Sequence, residues 1–247
     1  MDFSYTSYQR LIELLRKHAY EICSYFDYQI HPKCAILRHD LDFSISDGHA
    51  FSLLETSLGV TSTYYVLLST GFYNPLKREN RVMLQDMIKR GFEIGLHFDE
   101  TAYPDGEIHE HVASEASILS QILDTPIRTV SMHRPSRKTL ESNYSFTGLL
   151  NSYEHLFFKE FKYCSDSRFC WRDDPESAVT SGNYARIHIL THPFAWSTVN
   201  RNPAEVYRAL VDAASWERYV LLTQNIRCPE EFIEPANAWK RWVDRLS

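Results

Sequence analysis

Two aspartates, Asp40 and Asp42, stand two residues apart in the segment Arg38-His39-Asp40-Leu41-Asp42. The segment follows a short apolar run, Cys34-Ala35-Ile36-Leu37, which reads as a buried strand. Charges at the edge of a core cost free energy unless they are paired or metal-bound. Three later apolar runs end in histidine: Phe92-Glu93-Ile94-Gly95-Leu96-His97, Thr129-Val130-Ser131-Met132-His133-Arg134 and Ile187-His188-Ile189-Leu190-Thr191-His192. Acids and histidines at the ends of several strands point to one metal-centred catalytic site.

In an extended segment Asp40 and Asp42 fall on the same side. One can bind a metal while the other stays free as a base. His97 and His133 can each supply a nitrogen, and Asp/His/His plus water is a catalytic zinc shell with an open position. Water held in such a shell loses its proton near neutral pH. His192 can then protonate a leaving amine. Arg134 directly follows His133, and its guanidinium can pair with a base carboxylate and lower its pKa. Asp166 also follows a strand and can brace Arg134. Each group has a plainer reading. A strand-end histidine can be a hydrogen-bonded structural residue, and His18, His31, His49, His109, His111 and His155 are assigned there. Asp40 and Asp42 could serve a turn or a helix cap, although Ser46 and Asp47 are better placed to cap the next helix. Asp166 could make an Asx-turn, and Arg134-Pro135 could open a loop. Recurrence at four strand ends favours the site.

The elements that must position these groups alternate. Amphipathic spacing predicts helices over 5–26 (Leu11, Leu14, Leu15, His18 and Ile22 on one face), 47–58, 80–90, 107–123, 203–216 and 229–246. Pro203 suits a first helical turn. Seven candidate strands cover 34–38, 62–69, 92–97, 128–132, 159–165, 186–191 and 218–223, and 136–158 is the least regular stretch. Such alternation indicates a parallel sheet, either open or closed into an irregular (β/α) barrel of about seven strands. Convergence of polar groups at strand ends favours the barrel.

The 247 residues, with no linker, repeat or low-complexity segment, read as one α/β domain over 1–247. A net charge of −6 argues against nucleic acid as a partner. Five scattered cysteines form no C-x-x-C pair, so neither a disulfide framework nor a zinc ribbon is indicated, and a reduced cytoplasmic setting fits. The N-terminus lacks the pattern of a signal peptide, and no apolar run approaches the ~18 residues of a membrane span. The 15 Tyr and 14 Phe are read mainly as packing groups.

From about residue 34 to 223 the chain resembles the NodB-homology polysaccharide deacetylases (carbohydrate esterase family 4). The resemblance is nearer to a divergent branch associated with lipopolysaccharide O-antigen genes. It assigns Asp40 as catalytic base and Asp42 as metal ligand. Gly91-Phe92-Glu93-Ile94-Gly95-Leu96-His97 is similar to the segment that supplies a metal histidine. Arg134-Pro135 matches the arginine that orients the base, Asp166 and Trp171 loosely match a later pair, and Leu190-Thr191-His192 matches the segment carrying the catalytic acid. Two departures stand out. Leu41 splits an otherwise adjacent pair of aspartates, and Thr101 occupies the place of a second metal histidine. His133 is the candidate replacement and Asp99 a weaker one.

The resemblance implies a divalent cofactor, zinc first, with Ni2+, Co2+ or Fe2+ as alternatives. It implies hydrolysis of an N-acyl group, acetyl foremost, from a sugar or glycan in surface polysaccharide synthesis. Trp171, Trp196 and Phe194 would line an acyl or sugar pocket, or else pack in the core. A hydrolase of another non-peptide C–N bond, formamide or ureide, would use the same shell. A catalytically degenerate carbohydrate-binding protein would explain the missing histidine, but would need neither base nor acid.

Overall fold

The computed structural model describes residues 1–103, 107–228 and 231. Contacts divide the chain into two compact units, Met1–Asn200 and Arg201–Ser247.

In the first unit the strands are β1 (Glu21–Cys23), β2 (Cys34–Leu41), β3 (Thr63–Leu67), β4 (Glu93–Asp99), β5 (Thr129–His133), β6 (Leu150–Asn151), β7 (Lys162–Ser165) and β8 (Arg186–Thr191). The helices are α1 (Tyr5–Lys17), α2 (Ile45–Ser57), α3 (Arg78–Lys89), α4 (Ile108–Leu123), α5 (Arg137–Ser142) and α6 (Pro175–Ser181). All strand pairings are parallel, in the order β6-β5-β4-β3-β2-β8-β7, with β1 branching from β2. Among the described residues β6 and β7 do not pair, so the sheet is a curled half-barrel rather than a closed one. The expected α/β fold and seven-strand path are both present.

Parallel strands covered on both faces read as continuous apolar runs, and every residue of β2 and β3 is buried. Alternation sorts them between the two faces. Ala35, Leu37 and Leu41 of β2 join Tyr64, Val66, Leu96, Phe98, Val130, Ile187 and Ile189 in the main core, together with Leu11, Leu15, Phe51, Leu84 and Leu119 from the helices. Cys34 and Ile36 lie with Tyr65, Tyr25 and Phe157 in a second core. The pleat therefore puts Arg38, Asp40 and Asp42 on the Cys34/Ile36 side. Gly95 of β4 is required on that side: a Cβ there would meet the Tyr65 ring and Thr129 Oγ1. Because the strands are parallel, their C-terminal ends share one edge, where loops gather functional groups.

Several expectations are corrected. The first helix stops at Lys17, where Ala19 takes a left-handed φ of 56° and turns the chain into β1. Ile22 is thus a strand residue paired with Ala35, not part of the α1 apolar face. Helix α2 is capped by Ser44, whose side chain accepts from the Asp47 N–H at 3.1 Å. The irregular stretch contains α5 and the two-residue β6.

In the second unit, α7 (Pro203–Asn225) opens with a capping box between Asn202 and Glu205. It runs through 218–223, which the sequence suggested as a strand. Tyr219-Val220-Leu221-Leu222 is β-rich, but no Gly or Pro interrupts the chain after the capped start, so the helix propagates. The helix expected over 229–246 lies outside the described residues. No helix among the described residues is long and apolar enough to cross a membrane.

Candidate metal centre and its flanking groups

Asp42 follows β2, His97 lies in β4 and His133 ends β5. Their ligand atoms all fall within 4.8 Å of one another. Asp42 Oδ1 is 3.2 Å from His97 Nε2 and 3.4 Å from His133 Nδ1. Ligand atoms at zinc-type bond lengths in a tetrahedral shell lie about 3.4 Å apart. Asp42 Oδ1 is buried and has no hydrogen-bond partner, which costs free energy unless a cation or donor meets it. His97 Nδ1 lies 3.3 Å from the Ser131 carbonyl, an arrangement that leaves Nε2 free to ligate. The donor set of two imidazoles and a carboxylate suits zinc. These residues fit a metal.

Asp40 flanks this group on one side. It is held by Arg38, whose Nε donates to Oδ1 at 2.9 Å and whose Nη2 donates to Oδ2 at 2.7 Å. Arg38 also donates to Ser131 Oγ. Burial alone would push the Asp40 carboxyl up, but the Arg38 charge and then His97 outweigh it and hold it below the usual range. Asp42 likewise falls well below its ordinary value, because the close approach of the His133 and His97 imidazoles outweighs its burial.

His192 flanks the other side, its Nε2 3.7 Å from Asp42 Oδ2. Asp166, following β7, accepts from His192 Nδ1 at 2.6 Å and from the His192 backbone N–H at 3.0 Å. Trp196 Nε1 donates to the same carboxylate at 2.8 Å. Burial lowers His192, but the Asp166 carboxylate outweighs it and lifts the imidazole to about 9. Groups from β5 and from the far end of the sheet, β7 and β8, meet at Asp42 because the sheet curls.

The structure thus gathers Asp40, Asp42, His97, His133, Asp166 and His192. It corrects other expectations. Arg134, with a left-handed φ of 49°, turns away from Asp40. It donates to Asp99 Oδ2, and to Thr101 Oγ1 at 3.1 Å. Asp99 is filled by that guanidinium and by the Thr101 hydroxyl at 2.7 Å, so it is not left open as a ligand. Asp166 braces His192, not Arg134. Trp196 is 2% exposed and packs edge-on against Phe3, Tyr8 and Phe51, so it supports Asp166 and lines no pocket. Trp171 stacks on Phe3 at 6.5 Å and packs against the core. Phe194 stands beside His192, with ring centroids 6.2 Å apart, and meets Phe43 at 4.5 Å. Phe43 in turn meets the exposed Phe72 at 4.6 Å.

Sequence reasoning gave Arg38 no more than a guessed role in supporting the ligands, and left Ser131, Phe43 and Phe72 without one. The two-residue spacing of Arg38, Asp40 and Asp42 was the available signal for the first.

No family model matches the chain, and no curated protein matches it. Among solved structures it is similar to a family 4 carbohydrate esterase from Bacillus anthracis, at 17% identity, covering 83% of this chain and 85% of that one, with a TM-score of 0.45. It is also similar to the polysaccharide deacetylase Bc1974 from Bacillus cereus, at 12% identity over 75% and 88% of the two chains, with a TM-score of 0.42. A third is BA3943, a CE4 family pseudoenzyme from Bacillus anthracis, at 10% identity over 76% and 63%, with a TM-score of 0.40. Each likeness is distant.

Proposed function

We propose that this protein is a metal-dependent hydrolase that removes an N-acyl group, acetyl foremost, from a sugar. The observation that carries the reading is the Asp42/His97/His133 cluster set between an arginine-held carboxylate and an aspartate-held imidazole. A binding protein needs neither flanking group. Asp42, His97 and His133 would hold the cation, zinc first. When bound, it supplies a Lewis acid and lowers the pKa of water near it.

The chain's own residues do the rest. Asp40 Oδ2 lies 3.5 Å from His97 Nε2, close enough to the cluster to take a proton from attacking water. His192 presents Nε2 on the opposite flank, while Asp166 fixes the ring through Nδ1 and the backbone. That orientation lets Nε2 give a proton to the departing sugar amine. Phe194, Phe43 and Phe72 offer apolar ring faces beside His192, suited to a pyranose face or an acyl methyl. Assignment to O-antigen synthesis rests on the motif resemblance alone, while the cytoplasmic setting rests on the scattered cysteines and the single catalytic domain over 1–247 on the lack of a linker or repeat.

Metal analysis combined with acetate release from N-acetyl sugars tests the reading. Expected is one bound divalent ion per chain, lost in Asp42→Ala and His97→Ala, with acetate released only by the loaded protein. A wild-type chain that stays metal-free in excess zinc and releases no acetate would overturn it. Release of formate or a ureide product instead would move the reading to another C–N bond.

A further inference from the structure

The two carboxylates of the Arg38-His39-Asp40-Leu41-Asp42 segment stand nearly equally close to the same imidazole. Asp42 Oδ1 is 3.2 Å and Asp40 Oδ2 is 3.5 Å from His97 Nε2. By distance alone both could enter the shell of a cation held there. A fourth protein ligand would fill the position a catalytic shell keeps open. What separates the two groups is their hydrogen bonding. Both Asp40 oxygens are engaged by the Arg38 fork, at 2.9 and 2.7 Å, whereas Asp42 Oδ1 has no hydrogen-bond partner.

We propose that Arg38 is the positioning residue that divides the work of the two aspartates, holding Asp40 out of the metal shell so that it stays available as the base. The inference rests on the metal-site reading above. Arg38 is built for the task. Its side chain is fully buried and that of Asp40 is 4% exposed, so water does not compete for the pair. The bidentate geometry fixes the carboxylate plane as well as its place. The guanidinium is itself pinned by Ser131 Oγ and by the faces of Tyr65 and Tyr153, at 5.3 and 4.8 Å. Ser131 ties the two halves together, because its carbonyl also faces His97 Nδ1. The pleat explains why Asp40 and not Asp42 is taken. Arg38, Asp40 and Asp42 follow one another on one face at a spacing of two residues, and the fork reaches the nearer carboxylate. Arg134, the other arginine near the site, is engaged by Asp99.

Cobalt(II) is the probe, because its visible absorption weakens as its coordination number rises. Wild-type protein should take up one cobalt ion per chain with a strong band. Arg38→Met should keep the cobalt but show a weaker band, as Asp40 joins the shell. Its hydrolysis of an N-acetyl sugar should fall at least hundredfold in kcat with KM within threefold. Adding Asp40→Ala to Arg38→Met should return the strong band, a recovery that a merely structural role for Arg38 would not produce. If Arg38→Met does not fold, Arg38→Lys carries the test: it keeps the charge but loses the fork, and its band should be weaker than wild type. A wild-type band and wild-type kcat in whichever variant folds would overturn the inference and leave the metal site standing. A wild-type protein that takes up no cobalt would overturn the metal site and this inference together.

Discussion

Asp166 grips His192 at two points, the ring Nδ1 at 2.6 Å and the backbone N–H at 3.0 Å. A carboxylate that holds both the imidazole and its own peptide fixes the direction of Nε2 as well as the proton on Nδ1. Asp166→Asn keeps the shape but removes the carboxylate charge that stabilises the imidazolium, and an amide donor to Nδ1 would leave a neutral ring whose Nε2–H is a far weaker acid. The expected result is a fall in kcat of about 10²–10⁴-fold, the range that general acid catalysis contributes. KM and metal content should stay at wild-type values. Steady-state kinetics beside metal analysis of the same preparation checks this, and an unchanged kcat would remove Asp166 from the acid.

The metal shell separates His133 from Asp99 as third ligand. His133 Nδ1 points at Asp42 Oδ1 from 3.4 Å, while Asp99 is occupied by Arg134 and Thr101. At zinc concentrations a hundredfold above Kd, binding to the folded state should add about 2.7 kcal/mol. For a chain of this size that amounts to a rise in Tm of roughly 5–10 °C. His133→Ala and Asp42→Asn should lose most of that rise, and Asp99→Asn should keep it. Thermal melts with and without zinc make the comparison, and a full zinc shift in His133→Ala would exclude it from the shell.

How much of this was legible in the sequence follows from where each residue's partner lies. Asp42, His97 and His133 could be collected because each ends an apolar run, and parallel strands bring such ends to one edge whatever their order. The Arg38–Asp40 pair was hidden although both residues were in view, because a spacing of two shows that they share a face but not that the face is closed and polar. Asp99–Arg134 and Asp166–His192 each join neighbouring strands of the sheet that lie 35 and 26 residues apart in the chain, and a short motif carries no information about such partners. Trp196 looked like a pocket residue because aromatic type does not reveal burial. Tyr219–Leu222 looked like a strand because composition outweighed the uninterrupted helical run from Pro203. The two residues of β6 are too few to show a period.

Trp196 distinguishes a support from a pocket wall. Its ring is buried and its Nε1–H donates to Asp166 Oδ2 at 2.8 Å. Trp196→Phe keeps an aromatic ring but leaves that carboxylate short of one donor. Hydrogen bonds to a charged group contribute about 1.5–3 kcal/mol, so stability should fall by roughly that amount. KM for the sugar should not move, because the ring touches no substrate. A several-fold rise in KM with stability unchanged would return Trp196 to the pocket.

His188 sets a limit on acid stability. It is fully buried, with Nε2 2.6 Å from the Tyr25 hydroxyl and Nδ1 3.0 Å from the Phe157 carbonyl. Burial, reinforced by the Arg38 charge, pushes its pKa from 6.5 down to about 3. The folded state therefore binds fewer protons than the unfolded chain between those two values. Stability is complete above pH 6.5 and is lost progressively as the pH falls toward 3. At pH 5 the loss from this one group should be about 2 kcal/mol. Glu55 acts in the same direction at lower pH. Its burial is outweighed by His39, Tyr64 and Ser62, which hold its carboxyl below the ordinary value, so the stability it contributes disappears as the pH falls through that depressed pKa. His188→Gln cannot gain a charge, so it removes the first effect and leaves the second. Urea unfolding at pH 7 and pH 5 should show wild type losing roughly 2 kcal/mol more than His188→Gln over that interval. Equal losses in the two proteins would mean that His188 is already protonated in the folded state.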